Sequence, residues 1–595
     1  NVYSIAAGTA FVDALAVGIL NRFGGDPAGL ADIRVLLPTR RACRALGEAF
    51  LRATEGKPAL LPAMTPIGDI DEDEIGFLAA EEPGLSGMAD LPPAMPSLRR
   101  QLLLSRMIMA QDGTMSAAHA ARLANELARL IDEVRTERLS FADLENIVPE
   151  RFSQHWQETL VFLQIVTEHW PTILAEHGCL DAADRRNRLI EAQIALWQKA
   201  PPTGPVIAAG STGSIPVTAD LLACVAGLNT GLLILPGLDK TLDVDSLAAL
   251  GPSHPQYGMA RLLGRIGLNI EDIADWRDGS ENENPRIEAV NGALRPPATA
   301  ADVCLPADIG VAFGGVRRID CPGPQAEALA IALMLREALE DETRTAALIT
   351  PDRRLARRVA AELRRWNVDI DDSGGTPLAD TLPGVFLRLT ADVVATDAAP
   401  VPLLAALKHP LAAGGLDTAA FRERVREMEL TVLRGPRPIP GFDGLCDALR
   451  HIEPKAGVAL WAKNLAEIAR PFAELMRERR VDPGALLEAH ITFAEKLAAT
   501  ESETGVERLW AGEAGENAAM LINDLRAALE TLPPLAGREW PALLDALMSG
   551  VVVRPLYGRH PRLSIWGLLE ARLQQADLMI LGGLNEAVWP PDPPA

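Results

Sequence analysis

Two turns in this sequence carry arginines directly after runs that are typical of buried strands. Thr39, Arg40 and Arg41 follow the run IRVLL and Pro38, and Arg353 and Arg354 follow shortly after the run AALI. Open α/β sheets bind their ligands at the carboxyl ends of the strands, and a guanidinium group makes forked contacts to phosphate. Both turns are therefore candidate nucleic-acid contacts. The alternative is that they are surface arginines in ordinary salt bridges.

A third candidate is the glycine-rich loop from Gly210 to Ser214, which follows another strand-like run. Its backbone amides, together with Ser211 and Thr212, could receive an anion or a base. The alternative is a plain turn between a strand and a helix. A further group of arginines follows the second turn at helical spacing and is interpreted as a solvated helix face: Arg357, Arg358, Arg364 and Arg365.

The sequence lacks a loop that could cradle the phosphates of ATP. Such a loop needs the pattern G-x-x-x-x-G-K-[ST], in which lysine neutralises the phosphates and the hydroxyl holds magnesium. The one Gly-Lys pair, Gly56-Lys57, precedes Pro58, and the expected position, Ala6 to Ala10, has no lysine. We therefore expect no ATP hydrolysis by this chain. The nine histidines are scattered and suggest neither a catalytic triad nor a metal site.

Composition limits the class of protein further. The net charge of −23 excludes a protein that coats phosphates with its whole surface, so any DNA contact must use local basic clusters. No run approaches the roughly 18 apolar residues of a membrane span. The cysteines lie far apart, at positions 43, 179, 224, 304, 321 and 446, which indicates neither zinc nor disulfides and favours the reducing cytoplasm.

The pattern of elements predicts an α/β protein whose sheets are interrupted by helical blocks. Short branched runs alternate with helical periodicity around residues 33–52 and 205–235, and again from about Val316. Periodic helical segments fill residues 97–200 and most of 380–548, whereas residues 271–306 are polar and are interpreted as a linker. The acidic run in residues 69–74 is interpreted as a solvated loop.

Six segments, taken in order, resemble the AddB family of AddAB helicase–nuclease subunits in its alphaproteobacterial form. They are VLLPTRRACRALGEAFL (35–51), IGDIDEDE (67–74), VIAAGSTGSIPVTADLL (206–222), LLILPGLD (232–239), HPQYGMARLL (254–263) and EARLQQADLMILGGLNEAVWPPDP (570–593). The resemblance extends over essentially the whole chain. The last segment resembles a late helicase motif that ends in a G-x-x-E-G-x-x-P-like turn, here with Ala587 where glycine is usual, and no function is carried over to that turn.

The resemblance implies a UvrD-like superfamily 1 helicase scaffold with two RecA-like motor domains, each carrying a mostly helical insertion. The implied division is a first motor-like domain (1–96 and 201–270) with an insertion (97–200), a linker (271–315), and a second motor-like domain (316–380 and 549–595, truncated) with an insertion (381–548). The Thr39-Arg40-Arg41 turn falls where such helicases have a DNA-contacting loop, and residues 207–215 fall near a motif that couples nucleotide to DNA.

The family also implies a function. This would be the non-motor, DNA-binding and scaffolding subunit of a complex that resects DNA ends in double-strand-break repair, with an AddA-type subunit supplying ATP-driven translocation. Its partners would be that subunit and single- and double-stranded DNA ends, with no membrane. The family's inactive motor is also thought to scan single-stranded DNA for a regulatory sequence.

The chain starts without Met and stops at Pro-Pro-Asp-Pro-Pro-Ala, so we expect a fragment. The family's C-terminal nuclease domain, with its iron–sulfur cluster and magnesium, would lie beyond residue 595, and no cofactor is expected in this chain. Two alternatives remain open: an active ATPase with a degenerate phosphate loop, and a purely structural partner that does not contact DNA.

Overall fold

The computed structural model describes residues 1–25, 29–67, 91–141, 165–276, 284–300, 309–451, 457–554 and 560–591. The acidic run at 69–74 lies outside these ranges. Two parallel sheets with helices packed on them confirm the α/β class.

The first α/β unit is built on a six-stranded sheet. Its strands are β1 (Val2–Ile5), β2 (Arg34–Leu37), β3 (Ala63–Pro66), β4 (Val206–Ala209), β5 (Gly231–Pro236) and β6 (Ala274–Asp275). Their order across the sheet is β3-β2-β4-β5-β1-β6, and every neighbouring pair is parallel. Parallel strands are buried on both faces and therefore appear in sequence as short apolar runs, which is why IRVLL and VIAA are recognisable.

Helices flank this sheet, and a mainly helical block separates β3 from β4. The chain-ordered helices are α1 (Phe11–Phe23), α2 (Arg40–Ala53), α3 (Ser97–Gln111), α4 (Ala117–Thr136), α5 (Trp170–Glu176), α6 (Ala182–Lys199), α7 (Pro216–Gly227), α8 (Val244–Ala248), α9 (Tyr257–Ile266), α10 (Pro285–Ala293) and α11 (Ile309–Ala312). A short π-helical turn, Ile165–His169, leads into α5. The predicted helical block is thus confirmed where residues 97–200 are described.

The polar segment interpreted as a linker contains ordered elements of the first unit. Strand β6 forms the sheet edge beside β1, and the next residue, Trp276, is buried. The Trp276 indole donates a hydrogen bond to the carbonyl of Ala14 over 3.2 Å. A Cβ on Gly18 would lie only 2.1 Å from the indole nitrogen, so the glycine makes room for the ring. The interpretation of residues 271–276 as linker was wrong, because two paired residues and one buried ring fix a stretch of otherwise polar composition.

The second α/β unit has a four-stranded parallel sheet. Its strands are β7 (Ala346–Ile349), β8 (Asp371–Asp372), β11 (Leu563–Trp566) and β12 (Leu578–Leu581), in the order β12-β7-β11-β8. A separate antiparallel pair joins β9 (Thr376–Pro377) to β10 (Val552–Val553). Helices α12 (Pro324–Ala338) and α13 (Arg353–Arg364) pack on the four-stranded sheet. The strand expected near Val316 was wrong: residues 316–320 are exposed and outside any strand, so they lack the burial that the branched residues suggested.

A large helical block lies between β9 and β10. It comprises α14 (Leu382–Ala395), α15 (Pro400–Leu407), α16 (Thr418–Met428), α17 (Phe442–His451), α18 (Val458–Arg477), α19 (Pro483–Ala498), α20 (Gly505–Leu509), α21 (Gly512–Ala528) and α22 (Trp540–Met548). Its apolar core also contains Leu102 and Ala117 of the first helical block. The carboxylate of Glu539 accepts a hydrogen bond from the amide of Ala117, 3.0 Å away. The two helical blocks therefore pack together.

Among the residues that the structure describes, no helix combines the length and the apolar character needed to cross a membrane.

Candidate nucleic-acid interface

The carboxyl ends of the two parallel sheets meet at a junction between the α/β units. Arg41, just after β2, forms an ion pair with Asp371 of β8, with 3.5 Å between Nη1 and Oδ2. Leu573, in the loop after β11, packs on Gly210 at the end of β4. Gly210 has a φ of +76°, and a Cβ there would lie 2.4 Å from Leu573 Cδ1, so only glycine fits. Two of the predicted loops of the first unit thus contact the second unit.

The first arginine turn is shaped by helix capping. Thr39 is the N-cap of α2, and its hydroxyl oxygen accepts a hydrogen bond from the amide of Ala42 over 3.1 Å. This contact satisfies one of the amides left open at a helix start. The hydroxyl keeps its hydrogen as a donor, since a threonine hydroxyl both donates and accepts. Thr39 and Arg40 are exposed, whereas Arg41 is half-buried against the second unit.

In the second arginine turn, Arg353 forms an ion pair, whereas Arg354 is exposed. Asp372 accepts hydrogen bonds from Nη2 of Arg353 at 2.6 and 2.5 Å. The guanidinium lies on Gly374, where a Cβ would be only 2.2 Å from Cζ. Arg354 is exposed, and its side chain has no polar partner among the described residues, while its amide donates to the N-cap carboxylate of Asp352. Arg353 therefore forms its ion pair within the second unit, whereas Arg354 is exposed to solvent.

The glycine-rich loop is less open than its composition suggested. The hydroxyl of Ser211 accepts a hydrogen bond from the amide of Gly213 over 3.4 Å. Gly213 packs on Leu262 of α9, and the carbonyl of Thr212 lies close to Gly258. Ser211 and Thr212 are half-buried. The loop is a packed strand-to-helix connection.

The loop at the expected nucleotide position is covered by the chain itself. A Cβ on Gly8, whose φ is +76°, would lie 3.0 Å from Cδ1 of Ile287 and 3.7 Å from the side-chain nitrogen of Asn284. Helix α1 stands where a phosphate-binding helix would begin. Its first residue, Phe11, is buried. A phosphate in this loop would have to displace Ile287, and residues 6–10 of the loop itself offer no lysine or arginine.

Helix α10, which carries Ile287, is bound to the first unit by the residues that follow its C-terminal end. The imidazole of His254 donates to the carbonyl of Leu294 over 2.6 Å, and its other nitrogen accepts from the amide of Gln256. The guanidinium of Arg295 donates to the carbonyl of Thr241 over 3.1 Å. These contacts keep α10 over the Gly8 loop.

The helix that follows the second turn, α13, carries further arginines. Arg357 pairs with Asp380, and Arg365 donates to Glu362 over 2.7 Å. All four arginines that the spacing predicted on this face are exposed. The interpretation as a solvated helix face fits this placement.

The turn that ends at Pro590 has Ala587 where a G-x-x-E-G-x-x-P pattern has glycine. Ala587 adopts a φ of +66°, a left-handed conformation that normally favours glycine. The amide of Gly583 donates to the carboxylate of Glu327 over 2.8 Å, which fixes the turn to α12. Ala587 thus adopts a backbone conformation that usually favours glycine.

Sequence reasoning missed the acidic strand β8 and the covering residue Ile287. Two consecutive aspartates followed by Ser-Gly-Gly are a turn signal, but nothing local to them indicates a partner in the other α/β unit.

Within the described ranges, no group of three or more His, Cys, Asp or Glu residues is arranged to hold a metal. No protein-family model matches the sequence, and no curated protein matches it either.

Proposed function

We propose that this chain is the non-motor, DNA-binding and scaffolding subunit of an ATP-dependent helicase–nuclease that resects DNA ends during double-strand-break repair. The proposal takes up the sequence resemblance and the helicase-like scaffold that it implies. Two parallel α/β units joined at their carboxyl edges, each with a helical block, are compatible with that scaffold. An AddA-type subunit would supply ATP-driven movement.

One observation carries the DNA-binding part of the proposal. The two arginine turns predicted as phosphate contacts approach the same short strand, because Arg41 pairs with Asp371 and Arg353 pairs with Asp372. Their exposed neighbours, Arg40 and Arg354, therefore lie in the region around this strand. An acidic protein can bind DNA through such a region, since salt screens charges beyond about 8–10 Å.

The non-motor part rests on the covered loop after β1. Ile287 contacts Gly8 where a nucleotide phosphate would lie, and the start of α1 has no lysine. These features disfavour the alternative of an active ATPase with a degenerate loop.

Replacement of Arg40 and Arg354 together by Ala tests DNA binding. Anisotropy of labelled oligothymidylate, titrated at several salt concentrations, gives the slope of log affinity against log salt. Each lost phosphate contact should flatten the slope by roughly 0.7, hence about 1.4 for the pair. The matched control replaces Arg129 and Arg450, two exposed helix-face arginines with partners three residues away, and should leave the slope unchanged.

An unchanged slope in the Arg40/Arg354 variant, with intact melting behaviour, would reject this surface as the DNA contact.

A second candidate function is a purely structural partner without DNA contact. It is favoured by the engagement of Arg41 and Arg353 with carboxylates. Absence of any salt-dependent binding by the wild-type chain would support it.

A further inference from the structure

The acidic strand β8 presents two carboxylates to two different arginines. Consecutive residues of a strand point to opposite faces of the sheet. Asp371 accordingly meets Arg41 of the first α/β unit, and Asp372 meets Arg353 of its own unit. A guanidinium recognises carboxylate and phosphate with the same forked geometry. Each aspartate therefore binds an arginine that could also bind a phosphate.

The two pairs differ in how firmly they are made. Arg353 donates to both oxygens of Asp372, at 2.6 and 2.5 Å, and lies on Gly374. The Arg41–Asp371 pair has one contact of 3.5 Å, longer than the roughly 2.7–2.9 Å of a charge-assisted hydrogen bond. The two arginine side chains are similarly exposed, at 31 % for Arg41 and 35 % for Arg353, so the difference lies in the contacts that they make. Arg41 can therefore exchange its partner with little rearrangement, whereas Arg353 cannot.

We propose that Asp371 is an internal competitor for the nucleic-acid backbone at Arg41. In the free chain the carboxylate holds the guanidinium at the junction of the two units. When single-stranded DNA binds, a phosphate reaches Arg41 only in those complexes in which this ion pair has opened. Asp371 thereby lowers the affinity for DNA and makes one of the contacts conditional on opening this ion pair. The inference rests on the proposed function and assigns a regulatory role to a residue at the same site.

The variant Asp371→Asn tests the competition, because it removes the charge and preserves the shape of the side chain. The variant should bind oligothymidylate more tightly than the wild-type chain and with a steeper salt dependence. One additional phosphate contact adds about 0.7 to the slope, so the gain in affinity should be about 2.6 times larger at about 50 mM salt than at about 200 mM.

Two further variants identify the source of the gain. In Arg41→Ala/Asp371→Asn, the gain over Arg41→Ala alone should disappear, because there is no arginine to release. The matched control is Asp275→Asn, which removes the partner of Lys240 at the far edge of the first sheet. It makes the same change in net charge and should not alter the slope.

The outcomes separate this inference from the proposed function. If the wild-type chain binds DNA but Asp371→Asn has the same affinity and slope, only the inference fails. It also fails if the gain persists without Arg41, since repulsion by the carboxylate would then suffice. If neither the wild-type chain nor Asp371→Asn binds DNA, with both folded by their melting curves, both proposals fail.

Discussion

A buried histidine in the helical block should make the stability of this chain depend on pH. His490 lies between Thr390 and Trp540 and is stacked on Phe472, with 4.9 Å between ring centroids. The indole of Trp540 donates to Nδ1 over 3.2 Å, so the proton of the neutral ring sits on Nε2 and faces the Thr390 hydroxyl. Burial lowers the pKa of His490 to about 3.

The direction of the effect follows from which state binds the proton. The unfolded chain takes up a proton at His490 near the ordinary pKa of 6.5, whereas the folded chain stays neutral down to about 3. The contribution of the neutral ring is therefore fully present above the unfolded pKa and is lost as the pH falls through this window. Between about pH 8 and about pH 5, His490 should reduce the free energy of unfolding by about 2 kcal/mol.

Chemical denaturation of the wild-type chain and of His490→Gln at both pH values measures this difference. Glutamine can accept from Trp540 and donate to Thr390 but does not titrate, so the variant should lose about 2 kcal/mol of the pH dependence. His119→Gln, at an exposed position on α4, is the control for a surface histidine. Equal pH dependence in wild type and His490→Gln would refute the assignment of a neutral buried ring.

Two other predictions concern nucleotide and assembly. Ile287→Ala should lower the free energy of unfolding by about 1 kcal/mol, less than a fully buried isoleucine, because Ile287 is half-buried on Gly8. Val290→Ala, at an exposed position of the same helix, should have no effect. Neither variant nor the wild-type chain should bind a fluorescent ATP analogue, and binding by the wild type would contradict the covered loop. The chain should also co-purify at equal stoichiometry with an AddA-type subunit through an interface well above the ~1,600 Å² of a standard complex; separation on a sizing column would count against this.

Local pattern was sufficient for the elements that carry the candidate site. Strands β2, β4 and β7 were predicted from short branched runs, and helices α2 and α13 follow two of them where helical spacing was predicted. These features depend on residues within a few positions of one another, so they can be predicted from local sequence. The α/β class follows from the same alternation.

Contacts between distant segments were not predictable in this way. Nothing near Arg41 in the sequence indicates Asp371, and nothing near Gly8 indicates Ile287. The wrong interpretation of residues 271–276 has the same origin, since the burial of Trp276 depends on Gly18 of helix α1, which leaves space for its ring. Such pairings depend on how the units pack, which composition and periodicity do not encode.

Contacts at the junction and beside it show how the α/β units can be held without a nucleotide. Leu573 packs on Gly210, Ile287 covers Gly8, and Arg41 pairs with Asp371. The first two contacts are apolar and close, and they require no ligand to form. The third is a single ion pair with a long contact between two half-buried side chains. A ligand that competes for Arg41 can therefore act on the junction, while the apolar contact between Leu573 and Gly210 still joins the two units.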